Sequence, residues 1–166
     1  MTAARQQRKC YGAGLSAVSG LVLAVLALAP AWQAAATERI VVAWHTGLAI
    51  DGYDPVAFYT DRKPVPGSPD FELSYGGAVW RFANVGNRAA FAARPDVYMP
   101  QFGGYDPVGV ARGVAVAGNP AIWLIWSQRL FLFYDHSRLE SFTANAERIS
   151  RAADRKWPEV LSTLSP

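Results

Sequence analysis

Hydrophobic and polar positions change rhythm along the chain, and each rhythm predicts an element. An apolar stretch begins near Ala13 and contains the run Leu21 to Ala29; it follows a basic head of Arg5, Arg8 and Lys9. Beyond it, Ile40-Val41-Val42-Ala43-Trp44 predicts a strand over 39–44, and Gly47-Leu48-Ala49-Ile50 a second extended piece. Asp54-Pro55 places an acceptor at an N-cap and a ring at N1, predicting a short helix through Val56 to Tyr59. Three prolines between Asp61 and Pro69 predict an exposed loop. Alternation over Phe71 to Tyr75, Gly76-Gly77 and Ala78 to Phe82 predict a hairpin. Asn84 is the predicted cap of a helix that buries Val85, Ala89 and Ala92, carries Phe91 at its edge and stops at Pro95.

The second half of the chain repeats this grammar. Tyr105-Asp106-Pro107 predicts another helix start, leading into Val108 to Ala111. Ile122 to Trp126 and Leu130 to Tyr134, parted by Ser127, Gln128 and Arg129, predict a tight hairpin buried on both faces. Between Ser137 and Asp154, Leu139, Phe142, Ala146, Ile149 and Ala153 predict one surface helix that ends before Trp157-Pro158. Strands and helices mix without regular βαβ alternation. The fold class is therefore α+β, a small single domain of antiparallel hairpins packed against helices.

Composition corrects the picture of a basic protein. A basic head, an apolar middle and the alanines Ala34-Ala35-Ala36 form the pattern of a secretory signal peptide over residues 1–36. The domain expected over residues 37–166 carries 13 basic and 13 acidic side chains and no formal net charge, which argues against nucleic acid as a partner. The expected address is the periplasm; an uncleaved anchor over Tyr11 to Ala31 is the alternative, and only that form would hold the protein on a membrane. The single cysteine, Cys10, lies in the basic head, so the exported domain has neither disulfide nor thiolate chemistry. At 130 residues without a disulfide, it is held by its core.

Candidate chemistry is sparse. The pentapeptide Gly52-Tyr53-Asp54-Pro55-Val56 recurs as Gly104-Tyr105-Asp106-Pro107-Val108, 52 residues later. Its flanks differ, Ile50-Asp51 against Phe102-Gly103, so it reads as one local solution used twice and not as a duplicated unit. Asp54 and Asp106 are expected as helix caps, a role in which Asn serves almost as well as Asp. A metal or proton-transfer site would need His45, Asp54, Asp106 and His136 to converge. No Gly-x-Ser-x-Gly elbow and no Gly-rich phosphate loop is present, and no cofactor or metal is expected. Tyr53, Asp54, Tyr105, Asp106 and His136 are the candidate ligand-binding residues. Trp123, Trp126, Phe131, Phe133 and Tyr134 crowd one predicted hairpin. They are core if both its faces are covered; an open face would take a small apolar ligand or an envelope protein.

Five blocks carry a resemblance: Gly47 to Phe58, Tyr75 to Phe82, Asn87 to Phe91, Pro95 to Tyr105 and Ala152 to Pro158. In this order they resemble the exported branch of the YHS-domain family. The resemblance implies a small α+β unit, a hairpin running into a helix, related to the treble-clef metal-binding folds, and a binding or accessory role in which metal is the usual suggestion. The chain departs from the pattern at the metal ligands. Where metal-binding members carry two cysteines at the hairpin-to-helix junction, this chain has Ala83 and Asn87, and Asp106 stands where the exported branch has Cys. A thiolate site of the family type is therefore not expected. The resulting expectation is an exported non-enzymatic binding protein; the alternatives are an Asp/His metal site or a small envelope enzyme.

Overall fold

The computed structural model describes residues 39–164, so the expected signal segment lies outside the described residues. The described chain is an α+β domain in which two antiparallel hairpins pack against helices. A turn of 3-10 helix (Ile50–Gly52) leads into α1 (Ala57–Thr60), then β1 (Ser68–Tyr75), β2 (Ala78–Phe82), α2 (Val85–Ala93) and α3 (Pro95–Tyr98). The order then begins again with a 3-10 turn (Gln101–Gly104), α4 (Pro107–Val110), β3 (Asn119–Trp126), β4 (Arg129–Phe133), α5 (His136–Ala144) and α6 (Ala146–Ser162). Among the described residues no helix is long and apolar enough to cross a membrane.

The repeated pentapeptide marks a duplicated half, which corrects the reading of it as a purely local solution. Tyr53 bridges Pro66 as Tyr105 bridges Ala117. Gly67 N–H donates to the Gly52 carbonyl at 2.9 Å, and Gly118 N–H to the Gly104 carbonyl at 3.0 Å. Both hairpins have an irregular register at the same place: Ser68 pairs Phe82 and Glu72 pairs Arg81, while Asn119 pairs Phe133 and Trp123 pairs Leu132. Each irregularity holds a proline, Pro69 or Pro120, where the ladder needs no N–H. The mismatched flanks share a backbone even though they share no residues. Ile50 and Asp51 have φ of 43° and 57°, Phe102 and Gly103 of 56° and 63°. Gly76-Gly77 and Ser127-Gln128 likewise make their turns with two positive φ values each.

The halves bury equivalent side chains in two cores. Ile50, Val56, Phe58, Trp80, Phe82 and Phe91 fill the first; Phe102, Val108, Val110, Phe131, Phe133 and Phe142 fill the second. The strand β4 serves both, since Leu130 and Leu132 point into the first core while Phe131 and Phe133 point into the second. All four are fully buried, as expected for a strand covered on both faces. Trp123 packs edge-on against Phe58 in the first core and Trp126 against Phe142 in the second, so of the five crowded aromatics only Tyr134, 57% exposed, lies outside the packing.

Several expectations are corrected. No strand forms over 39–50: the chain turns at Ala43 to Gly47 and enters the Ile50–Gly52 turn at once, leaving room for the single antiparallel bridge Val42 to Ala49. The buried face of α2 is not Val85, Ala89 and Ala92, which are exposed, but the one centred on Phe91, whose ring lies 5.0 Å from Trp80 and 5.2 Å from Phe82. Packing of one large ring outweighs three small side chains. Pro95 ends α2 but also opens α3 at its first turn. The predicted helix over 137–154 is two helices broken at Asn145, and the second continues through Pro158. The ring removes one backbone bond, a loss offset by burial of Val160 and Leu164 in the second core.

Gly67 and Gly118 allow the close approach on which each half depends. A Cβ on Gly67 would lie 2.6 Å from the Arg81 carbonyl carbon, and one on Gly118 would lie 2.7 Å from the Gly104 carbonyl oxygen. Both obstacles are backbone, which cannot rotate away. Gly67→Ala and Gly118→Ala are each expected to lower stability by about 1–3 kcal/mol in chemical denaturation. Parent-like stability in either would contradict the equivalence of the two sites.

Candidate functional site

The residues singled out by the sequence sit where each half's first short helix meets the helix that follows its hairpin. Asp54 and Asp106 are both fully buried. Their backbone N–H groups are held alike, Asp54 donating to the Val65 carbonyl and Asp106 to the Val116 carbonyl, each at 2.8 Å. This leaves both carboxylates pointing inward at helix N-termini.

Asp54 accepts four hydrogen bonds. Its Oδ1 takes the N–H groups of Val56 at 2.8 Å and Ala57 at 3.3 Å in the turn that leads into α1, whose own N-cap position is Val56. The expected cap at Asp54 is thus displaced by two residues, whereas Asp106 is the N-cap of α4. Its Oδ2 takes the N–H of Ala83 at 2.8 Å and the side-chain amide of Asn87 at 2.6 Å, which ties α1 to the start of α2. Asp106 repeats the arrangement. Oδ1 accepts from the Gly109 N–H at 2.7 Å, Oδ2 from the Tyr134 N–H at 2.9 Å, and Arg138 Nη1 lies 3.3 Å from Oδ1. The junction residues themselves are capped in parallel, Asn84 accepting from Asn87 N–H and Asp135 from Arg138 N–H. Each aspartate thus joins two helix N-termini, whose partial positive charge favours a carboxylate there.

The two sites differ in one partner. Asn87 and Arg138 occupy equivalent first-turn positions, so Asp54 is balanced by neutral donors and Asp106 by a guanidinium that is itself 26% exposed. Among the described residues no buried side-chain nitrogen or oxygen lacks a partner.

The five candidate ligand-binding residues are not gathered in one place. Tyr53 is half-buried beside Asp54, Tyr105 is buried in the second core, and His136 is exposed at the start of α5. The two carboxylates share none of their hydrogen-bond partners. His45 is exposed, its ring 5.4 Å from that of Trp44, which is itself 95% exposed. Among the described residues no group of three His, Cys, Asp or Glu is placed to hold a metal ion. The oxygens of Asp106 are turned onto Gly109, Tyr134 and Arg138.

Sequence reasoning missed the long-range partners. Asn87 drew notice only as the position of a missing cysteine, and Arg138 drew none, although it stands 51 residues after Asn87 in the repeated frame. It also missed Arg129, which grips Asp154 at 2.7 and 3.1 Å, donates to Gln101 at 2.8 Å and lies 5.3 Å over the Phe131 ring. This one side chain binds the β3–β4 turn to α6 and to the Gln101–Gly104 turn. Burial raises the Tyr59 phenol above its ordinary range, Tyr98 beside it adds to the shift, and a backbone hydrogen bond at Leu130 opposes it.

No family model, curated protein or solved structure matches the chain.

Saturation of both carboxylate oxygens alters what a substitution does. A plain cap tolerates Asn, but here its amide group would face an N–H donor at each site. Asp54→Ala and Asp106→Ala are expected to lose about 2–5 kcal/mol, since several buried donors are stranded together. Asp54→Asn and Asp106→Asn are expected to lose nearly as much. Chemical denaturation of the four variants checks this, and Asn variants within about 0.5 kcal/mol of the parent would reduce each aspartate to an ordinary cap.

Proposed function

We propose that this chain is an exported, non-enzymatic binding or accessory protein of the YHS type, released into the periplasm after loss of residues 1–36. The observation that carries the reading is that both buried aspartates are engaged within the fold, each fastening two helix N-termini. Carboxylates held in this way have their acceptor positions turned to the chain's own donors, which leaves them poorly placed for metal binding or proton transfer.

The residues behind the resemblance support it on the side of fold. Trp80, Phe82 and Phe91 are fully buried, Asn87 bonds to Asp54, Asp154 holds Arg129, and Trp157 packs 5.5 Å from Phe102. Where metal-binding members place a cysteine, the Asn87 amide donates a hydrogen bond, so the position keeps a structural task without a thiolate. Of the two partner classes the sequence suggests, an envelope protein is favoured. A small apolar ligand would need an open face on the β3–β4 hairpin, and that hairpin packs into a core on each side. Trp44 and Tyr134, both exposed, are available to a protein surface.

Native mass spectrometry of protein purified from its own envelope tests this proposal. The expected spectrum has a chain beginning near Thr37 and a co-purified protein partner. A chain retaining residues 1–36, or a stoichiometric metal lost in Asp106→Ala, would contradict it.

A further inference from the structure

A cleft of about 470 Å³ opens among α4, α5 and α6, on the outer side of the second half. Each helix turns an i, i+3, i+4 face toward it: α4 contributes Arg112 just past its end, α5 contributes Ser141 and Ala144, and α6 contributes Arg148 and Ala152, with Asn145 at the break between the last two. No Asp or Glu lines it. The nearest acid on the first turn of α6, Glu147, is already paired with Arg151.

Neither arginine of the cleft has a carboxylate partner among the described residues. Arg39, Arg62, Lys63, Arg88 and Arg155 lack one too, and what sets Arg112 and Arg148 apart is that both line one cleft whose lining holds no acid. Arg81, Arg94, Arg129, Arg138, Arg151 and Lys156 each have a carboxylate partner. Arg112 and Arg148 have no hydrogen bond or ion pair among the described residues, and they come from positions 36 apart in sequence to the same cleft. Like charges brought together without an intervening acid repel one another, and an anion between them reverses the sign of that term. Neutral donors are at hand. Asn145 sits at the N-cap position of α6 yet makes no capping bond with its side chain, so its amide, like the Ser141 hydroxyl, is free to turn into the cleft.

We infer that this cleft binds a small dianion, a phosphate group or a dicarboxylate, gripped by the planar forks of Arg112 and Arg148 with Ser141 and Asn145 completing the donors. Its volume suits a compact metabolite, and Ala144 and Ala152 leave room for the ligand's body. The inference uses neither buried aspartate and is independent of the chain's address and partner.

Calorimetric titration of the purified full chain with inorganic phosphate, and separately with succinate, tests it at low salt. The controls are Arg112→Ala, Arg148→Ala and, for the same loss of charge elsewhere on α6, Arg155→Ala. Saturable binding of either probe at millimolar concentration is expected, weakened roughly tenfold or more in each cleft variant and unchanged in Arg155→Ala. The probe that binds identifies the class of dianion. Absence of saturable binding with both, or an equal loss in all three variants, would overturn the inference.

Discussion

Each half of this domain depends on one buried carboxylate that bonds to two helix N-termini at once. A short helix such as α1 or α4 has too few internal hydrogen bonds to persist alone. Asp54 and Asp106 supply acceptors to its first N–H groups and, with the other oxygen, reach the N–H that precedes the next helix. The hairpin lies between these two contacts in sequence, so one side chain closes the whole half-unit. Burying a charge is costly unless it is fully bonded, and here the donors are backbone groups that would themselves be stranded without it.

Duplication explains the order of elements, and the differences between the halves explain the domain's shape. In the first half β2 buries Ala78, Trp80 and Phe82 while Val79 and Arg81 on its other face stay partly exposed. The equivalent strand β4 is buried on both faces and becomes the wall between the two cores. The first half ends in the one-turn helix α3, whereas the second ends in the 17-residue α6. That extension covers Phe102, Phe131 and Phe142 with Ala153, Val160 and Leu164, and is locked down by Asp154 on Arg129. It also forms one wall of the cleft that holds Arg112 and Arg148.

What was legible in the sequence was local. Alternation around Gly76-Gly77 and two apolar runs parted by Ser127, Gln128 and Arg129 pointed to the hairpins, and Asp-Pro to both short helices, the first of which starts slightly later than predicted, because these signals act within a few residues. The second hydrogen-bonding role of each aspartate was not legible, since Ala83 and Asn87 lie 29 and 33 residues from Asp54 and no periodicity reports on them. The duplication was hidden for a different reason: Ile50-Asp51 and Phe102-Gly103 have unlike side chains on a like backbone, and only φ values reveal the match. The exposed Val85, Ala89 and Ala92 show the limit of apolar spacing where a single Phe91 decides which face turns inward.

The central claim is that each aspartate directly holds the backbone at the start of the helix after its own hairpin. Residue-resolved amide hydrogen exchange on the parent, Asp54→Ala and Asp106→Ala tests this under conditions where all three remain folded. The account predicts that Asp54→Ala strips protection from the Val56, Ala57 and Ala83 amides while Gly109 and Tyr134 keep theirs, and that Asp106→Ala does the reverse. Unchanged protection at Ala83 in Asp54→Ala and at Tyr134 in Asp106→Ala would contradict it.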